Sequence, residues 1–211
     1  MLTVTTLSIW CGVLTGPFFI IVFLIEGALR PGYQPLRQPI SALAIGPRGW
    51  IQRANFFITG LLALAYVPGL HTALVASGNP WWPPVLIAVF GLGLIGAGIF
   101  VTDITGLAWP RREQRTRSGI FHDQASGPVF AALIAASVVF ASLFAGIGES
   151  NWALYSVISC AAIVVFFVLA GLGFAFKLNL NPVGGLMQRL SIIAGWMWLS
   201  LVAAHFLVGV L

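Results

Sequence analysis

Charge is what this 211-residue chain has least of: Asp, Glu, Lys and Arg make up 7% of it, against about 25% in ordinary soluble domains. So few charges could not cover the surface of a water-soluble globule, and that class is excluded. Cysteine is nearly absent too, with Cys11 and Cys160 both inside apolar stretches. No Cys-x-x-Cys occurs, which removes a disulfide framework, a zinc ribbon and a dithiol redox motif. The three histidines show neither His-x-x-x-His nor His-Glu-x-x-His spacing, so no metal site and no cofactor is expected. Met1 to Trp10 carries no Lys or Arg and leads to no small-residue cleavage pattern. The first apolar segment is therefore expected to be a retained helix rather than a signal peptide.

What the chain does have is apolar sequence, 59% of it. A membrane-crossing helix needs about 20 mostly apolar residues. Six segments qualify, at approximately 7–29, 54–77, 83–106, 120–147, 153–176 and 190–211. The expectation is an all-α, polytopic bundle of six transmembrane helices forming one domain over 1–211. Short polar turns, Gly78-Asn79-Pro80 and Gly148-Glu149-Ser150-Asn151, join the second to the third helix and the fourth to the fifth. The longer connections at 30–53, 107–119 and 177–189 carry every Lys and Arg. Six crossings put those three on one side, and the positive-inside rule makes that side cytoplasmic. The chain is thus expected in the cell membrane with both termini outside. Trp81, Trp82 and Trp152 would mark the outer interface, Trp50 and Trp109 the inner one.

Within the first connection, Ile40, Leu43 and Ala44 fall at helical spacing between Pro39 and Gly46, predicting a short interfacial helix. The second, Pro110 to Ser118, is basic enough to meet anionic lipid headgroups; nucleic acid is not an expected partner of so short a stretch beside a membrane. A faint repeat opens three helices: Gly49-Trp50-Ile51-Gln52-Arg53, Gly119-Ile120-Phe121-His122-Asp123 and Gly185-Leu186-Met187-Gln188-Arg189. A literal G-x-G-x-x-G, Gly91 to Gly96, lacks the preceding strand a dinucleotide fingerprint needs. Gly91, Gly93, Gly96 and Gly98 instead predict close helix contact, within the chain or in a homo-oligomer. Pro68-Gly69 and Gly127-Pro128 predict kinks.

Ionisable groups within or bordering the helices are the candidate functional residues, because a buried charge costs several kcal/mol unless paired. Glu26, Asp103, His122 and Asp123 should gather near the cytoplasmic interface, within reach of Arg37, Arg53 and Arg189. Such a cluster is either a salt-bridge collar or a polar pocket. His122 and Asp123 point about 100° apart on a helix, so Asp103 is the expected partner of His122, in acid–base chemistry if there is any. His71 and His205, at similar depth near the outer side, form a second pair that bis-imidazole haem ligation would use; interfacial histidines bonded to backbone or water are the plainer reading.

Several stretches together resemble a known family. Pro39-Ile40-Ser41-Ala42-Leu43, Gly49-Trp50-Ile51-Gln52 and Ala54-Asn55-Phe56 are similar to DUF998, a family of bacterial integral membrane proteins. So are Phe90 to Phe100 with Asp103 after it, Gly119-x-x-His122, and Trp152-x-x-Tyr155-Ser156. The resemblance covers roughly residues 10–200. Ile104 stands where the family pattern has proline after the aspartate, and Trp109-Pro110-Arg111-Arg112 replaces a Gly/Pro-rich turn. The resemblance implies six membrane helices and directs interest to Asp103 and His122, without a reaction. A more distant architectural likeness to Frag1/DRAM-type proteins points to lipid handling by analogy alone. The expected function is binding of a lipid, a small amphiphile or a membrane protein partner. Asp103, His122 and Asp123 would be its polar anchors, with Glu26 and Arg189 beside them and Arg37 and Arg53 holding anionic groups. An intramembrane enzyme using His122 and Asp103 on a lipid-like substrate is the alternative. A proton-coupled transporter using Glu26 or Asp103 is a third reading, disfavoured because no acid lies at mid-membrane.

Overall fold

The computed structural model describes residues 3–103, 115–175 and 179–210. Among these residues the chain is all-helical: α1 (Val4–Leu29), a one-turn 3-10 helix (Ile40–Ala44), α2 (Gly49–Ala76), α3 (Pro84–Ile99), α4 (Arg117–Gly146), α5 (Ser150–Phe174) and α6 (Gly184–Val210). Consecutive helices pack side by side, and α6 closes the ring on α1. The middle of the ring is aromatic. Trp196 of α6 is buried, stacks on Phe19 with ring centres 5.3 Å apart, and meets Phe90 and Phe130 edge-on at 5.0 and 5.8 Å. Offset and edge-on pairs of this kind add about 0.5–1.5 kcal/mol each beyond simple burial. The outer faces are apolar as well, with Leu24, Leu154 and Val165 all exposed. A surface of that kind needs lipid around it.

Small residues set the helix spacing. Both prolines singled out above sit inside continuous helices, as does Pro17 of α1. At Pro68-Gly69, the Ser8 hydroxyl of α1 enters the α2 ladder. It donates to the Ala65 carbonyl at 2.5 Å and accepts from the Gly69 N–H at 2.8 Å, replacing a helix bond with an interhelical bridge. The glycines of α3 divide between two neighbours. A Cβ on Gly91 or Gly98 would press on the α2 backbone, at Gly60 O and Arg53 O, whereas one on Gly93 or Gly96 would press on α4 at Val129 or Ala125. These glycines thus serve contacts within the chain.

Three sequence expectations need correction. The third segment, expected over 83–106, is helical only over Pro84–Ile99, and residues 104–106 lie outside the described residues. It ends early because Phe100 turns extended and carries Val101 to Asp103 across the start of α4, where the Ser118 hydroxyl bonds both N and O of Val101. The expected interfacial helix exists as the Ile40–Ala44 turn, but all five of its residues are buried. Ile40 and Leu43 pack into the core instead of lying on the membrane surface. Finally, α2 and α6 start at Gly49 and Gly184, five and six residues before the expected 54 and 190. Arg53 and Arg189 are consequently helical residues, rather than loop residues.

Gly16 shows how little room the ring leaves, since an added Cβ would lie 2.5 Å from Trp196 O, an immovable backbone atom. Gly16→Ala should lower stability by about 1–3 kcal/mol through overpacking. Gly146→Ala, where a Cβ meets nothing, should leave the unfolding temperature in detergent unchanged or slightly raised.

Candidate functional site

The end of the ring that carries the first connection also carries all the described arginines. Besides the α5–α6 connection, the chain leaves regular helix there at 30–48 and at 100–103. Both departures free backbone carbonyls in a setting with little water to satisfy them, and side chains capture them. Arg53 donates to Gly98 O at 3.1 Å and to Ile99 O at 3.4 Å. His122 Nδ1–H donates to Phe100 O at 2.9 Å and to Ala97 O at 3.2 Å. Arg30 holds Leu43 O and Ile45 O at 2.9 and 2.8 Å. Buried Arg189 holds Pro35 O, Gln38 O and Gly185 O and donates to the Tyr33 hydroxyl, with the Phe23 and Tyr33 rings beside it. Gln188 Oε1 accepts from Ile40 N–H at 2.8 Å, fixing the start of the 3-10 turn.

The expected collar of arginine–carboxylate pairs is therefore assembled differently. Glu26 is buried between Arg30 and Arg48, at 2.7 and 2.5 Å. Asp103 pairs not with His122 but with Thr116, whose N–H and hydroxyl both donate to its carboxylate, at 2.7 and 2.6 Å. Thr116 in turn caps α4 by accepting from Gly119 N–H at 3.0 Å. Asp123 forms a half-exposed ion pair with Arg115. Arg37 is half-buried, and its Nε has no partner among the described residues. Exposed Arg53 gives Nε and Nη2 to carbonyls, and buried Arg189 gives its Nη groups to carbonyls and to the Tyr33 hydroxyl. At the opposite end, His205 lies in ion-pair contact with Glu149 at 2.8 Å and against Trp152, while His71 is on the exposed face of α2. Among the described residues no contact joins the two histidines.

The repeat acquires a physical meaning here. A Cβ on Gly49, Gly119 or Gly185 would come within 2.2, 2.0 or 2.5 Å of an oxygen, on Ala44, Asp103 and Gln38 respectively. In each case the incoming chain lies directly on the first turn of the helix, and only glycine allows it. Three residues on, Gln52, His122 and Gln188 turn inward.

Above this collar, toward mid-bundle, is a cavity of about 200 Å³. Its deep wall is Phe19, Phe56, Phe130, Phe167 and Trp196, and its basic-end rim holds Ser41, His122, Asp123, Ser126 and Gln188. His122 is 4% exposed. With Nδ1–H committed to backbone carbonyls, Nε2 is the ring nitrogen left without a backbone partner. The lining was only partly legible in the sequence. His122 and Asp123 stand out as ionisable groups, but Gln188, Ser126 and Trp196 give no such signal. The polar face of α2 was missed too: Gln52, Asn55 and Thr59 are fully buried, and Gln52 Nε2, Asn55 Oδ1 and Thr59 Oγ1 lack partners among the described residues.

Five helices long and apolar enough to cross a membrane, an apolar exterior and a basic end built from backbone capture define a multi-pass membrane protein. Within that class the chain belongs to the DUF998 family of proteins of unknown function, whose model it matches over residues 13–205. No curated protein and no solved structure matches it significantly.

Removing the collar's anchors should loosen it without emptying the core. Asp103→Ala should cost about 1–2 kcal/mol by removing the carboxylate that holds Thr116, the α4 cap, and Arg189→Gln roughly 2–3 kcal/mol by leaving buried carbonyls bare; thermal unfolding in detergent reads both. Burial raises the Tyr33 hydroxyl above its ordinary value of 10.0, although Arg189 beside it pulls the other way. A raised value means the protonated form is the one the fold favours. Its contribution is complete below pH 10 and fades as pH rises through the folded value. The stability gap between wild type and Tyr33→Phe should therefore narrow above pH 10.

Proposed function

We propose that this protein crosses the membrane six times, with its basic end in the cytoplasm, and binds the apolar chain of a lipid or small amphiphile in the cavity behind His122. The cavity carries this reading: an aromatic and aliphatic chamber with its polar groups confined to one rim suits an amphiphile lying parallel to the helices. The topology rests on the Lys and Arg residues, all of which fall in, or in the helix turns bordering, connections that six crossings put on one side. At 16 residues, α3 is the shortest α-helix among the described residues. It spans roughly 24 Å at 1.5 Å per residue, and the extended residues after it supply the rest of a hydrocarbon layer of about 30 Å.

In this reading His122 Nε2, Asp123 and Ser126 meet the ligand's polar end, while Glu26, Arg53 and Arg189 support the rim from behind. Asp103 acts at one remove, by holding the start of α4. Ala170 lies on the cavity wall and is buried. Filling the chamber with Ala170→Phe should abolish ligand retention while the protein still folds. Native mass spectrometry of protein purified in mild detergent checks this. The wild type should carry a stoichiometric extra mass of amphiphile that Ala170→Phe lacks. Equal occupancy in the two proteins, or a bare wild type that stays bare after incubation with single-chain amphiphiles, would sink the reading.

A further inference from the structure

The cavity is walled on one side by α4 and α5, whose mutual contact is the sparsest of the neighbouring pairs in the ring. Two glycines line it there, Gly127 on α4 and Gly171 on α5. Both are exposed, and a Cβ built on either meets nothing within 4 Å. They differ in this from Gly12, Gly16, Gly60 and Gly91, where a Cβ would strike a neighbouring helix. Close packing explains those glycines and leaves Gly127 and Gly171 unexplained. One turn deeper, Phe130 and Phe167 close the same seam with ring centres 4.4 Å apart. Toward the basic end the Arg115–Asp123 ion pair lies beside it. The gap is thus a bounded window in the wall, at the depth of the cavity.

We infer that Gly127 and Gly171 frame a lateral portal through which a single-chain amphiphile with a hydroxyl headgroup passes from the surrounding lipid into the cavity. This rests on the reading of the cavity as a ligand chamber. The size argues for one chain, since about 200 Å³ falls below the roughly 300–1,000 Å³ typical of whole small-molecule sites. The headgroup follows from the rim. His122 Nε2 meets no donor among the described residues, and the Asp123 carboxylate is also an acceptor. Among the described residues no Lys or Arg lines the chamber, and a hydroxyl can donate to these acceptors. In the chamber floor, buried Trp196 has an Nε1–H with no acceptor among the described residues.

The test uses Trp196 as reporter in proteoliposomes of unlabelled phosphatidylcholine, with a dibrominated monoacylglycerol as quencher. Subtracting the Trp196→Phe protein isolates the Trp196 signal from the other tryptophans. Stopped-flow mixing should show a Trp196 component that follows the rapid quenching of the lipid-facing tryptophans. In Gly127→Leu/Gly171→Leu that component should slow by roughly tenfold, about 1.4 kcal/mol of added barrier, or vanish. Thermal unfolding should show this variant at least as stable as wild type, because leucine replaces glycine in helices with open space beside them. An unchanged rate in the double variant, with quenching still lost in Ala170→Phe, would overturn the portal and leave the chamber standing. Absence of any Trp196 component in the wild type would overturn both. Equal quenching by a dibrominated two-chain phosphatidylcholine would overturn the single-chain assignment.

Discussion

A peptide carbonyl that leaves a helix inside a membrane protein must find a donor in the protein, because lipid offers none. The basic end of this ring is organised around that constraint. The chain abandons helix between α1 and α2 and again after α3, and Arg30, Arg53, Arg189, His122 and Tyr33 supply the missing donors. Guanidinium groups suit the task, since one planar fork can reach several oxygens at once. Their charge is then carried by carbonyl dipoles and, for Arg30 and Arg48, by Glu26.

The same constraint explains why these helices carry a glycine in their first turn. For a captured segment to lie against a helix start, its oxygen must approach where a Cβ would otherwise be, as at Gly49, Gly119 and Gly185. The repeated pattern is thus one solution used three times: a glycine to admit the incoming chain, then a polar side chain three residues on. Where the second and third copies carry His122 and Gln188, those side chains also reach the cavity. Support of the fold and the polar rim of the chamber are in this way the work of the same residues. A lipid chamber set behind such a collar would hold its ligand's polar end at the level where the backbone's own polar groups are gathered.

How much of this was readable in advance divides along physical lines. Apolar runs of about 20 residues and the glycine face of α3 are local properties, and each led to a helix or a contact found in the structure. The early end of α3 was not local. It depends on Ser118 and Thr116, which lie beyond the intervening connection. The Ile40–Ala44 turn shows the apolar spacing of an interfacial helix, and whether such a turn lies on a membrane or inside a ring depends on Gln188 and Arg189, some 150 residues away.

Composition and the spacing of apolar segments alone were sufficient to determine that the chain is an all-helical membrane protein, and its ordered motifs were sufficient to indicate its family. The pairing of its polar residues was decided by the tertiary structure alone. Opposite charges attract over any sequence distance, so Glu26 could have met Arg53 or Arg189 as readily as Arg30 and Arg48. Those arginines went to carbonyls because the fold put unsatisfied backbone within their reach, and Asp103 went to Thr116 because Gly119 leaves room for it. The cavity is the extreme case. It is a volume that seven segments of the chain leave between them, and a volume has no signature in any one of them.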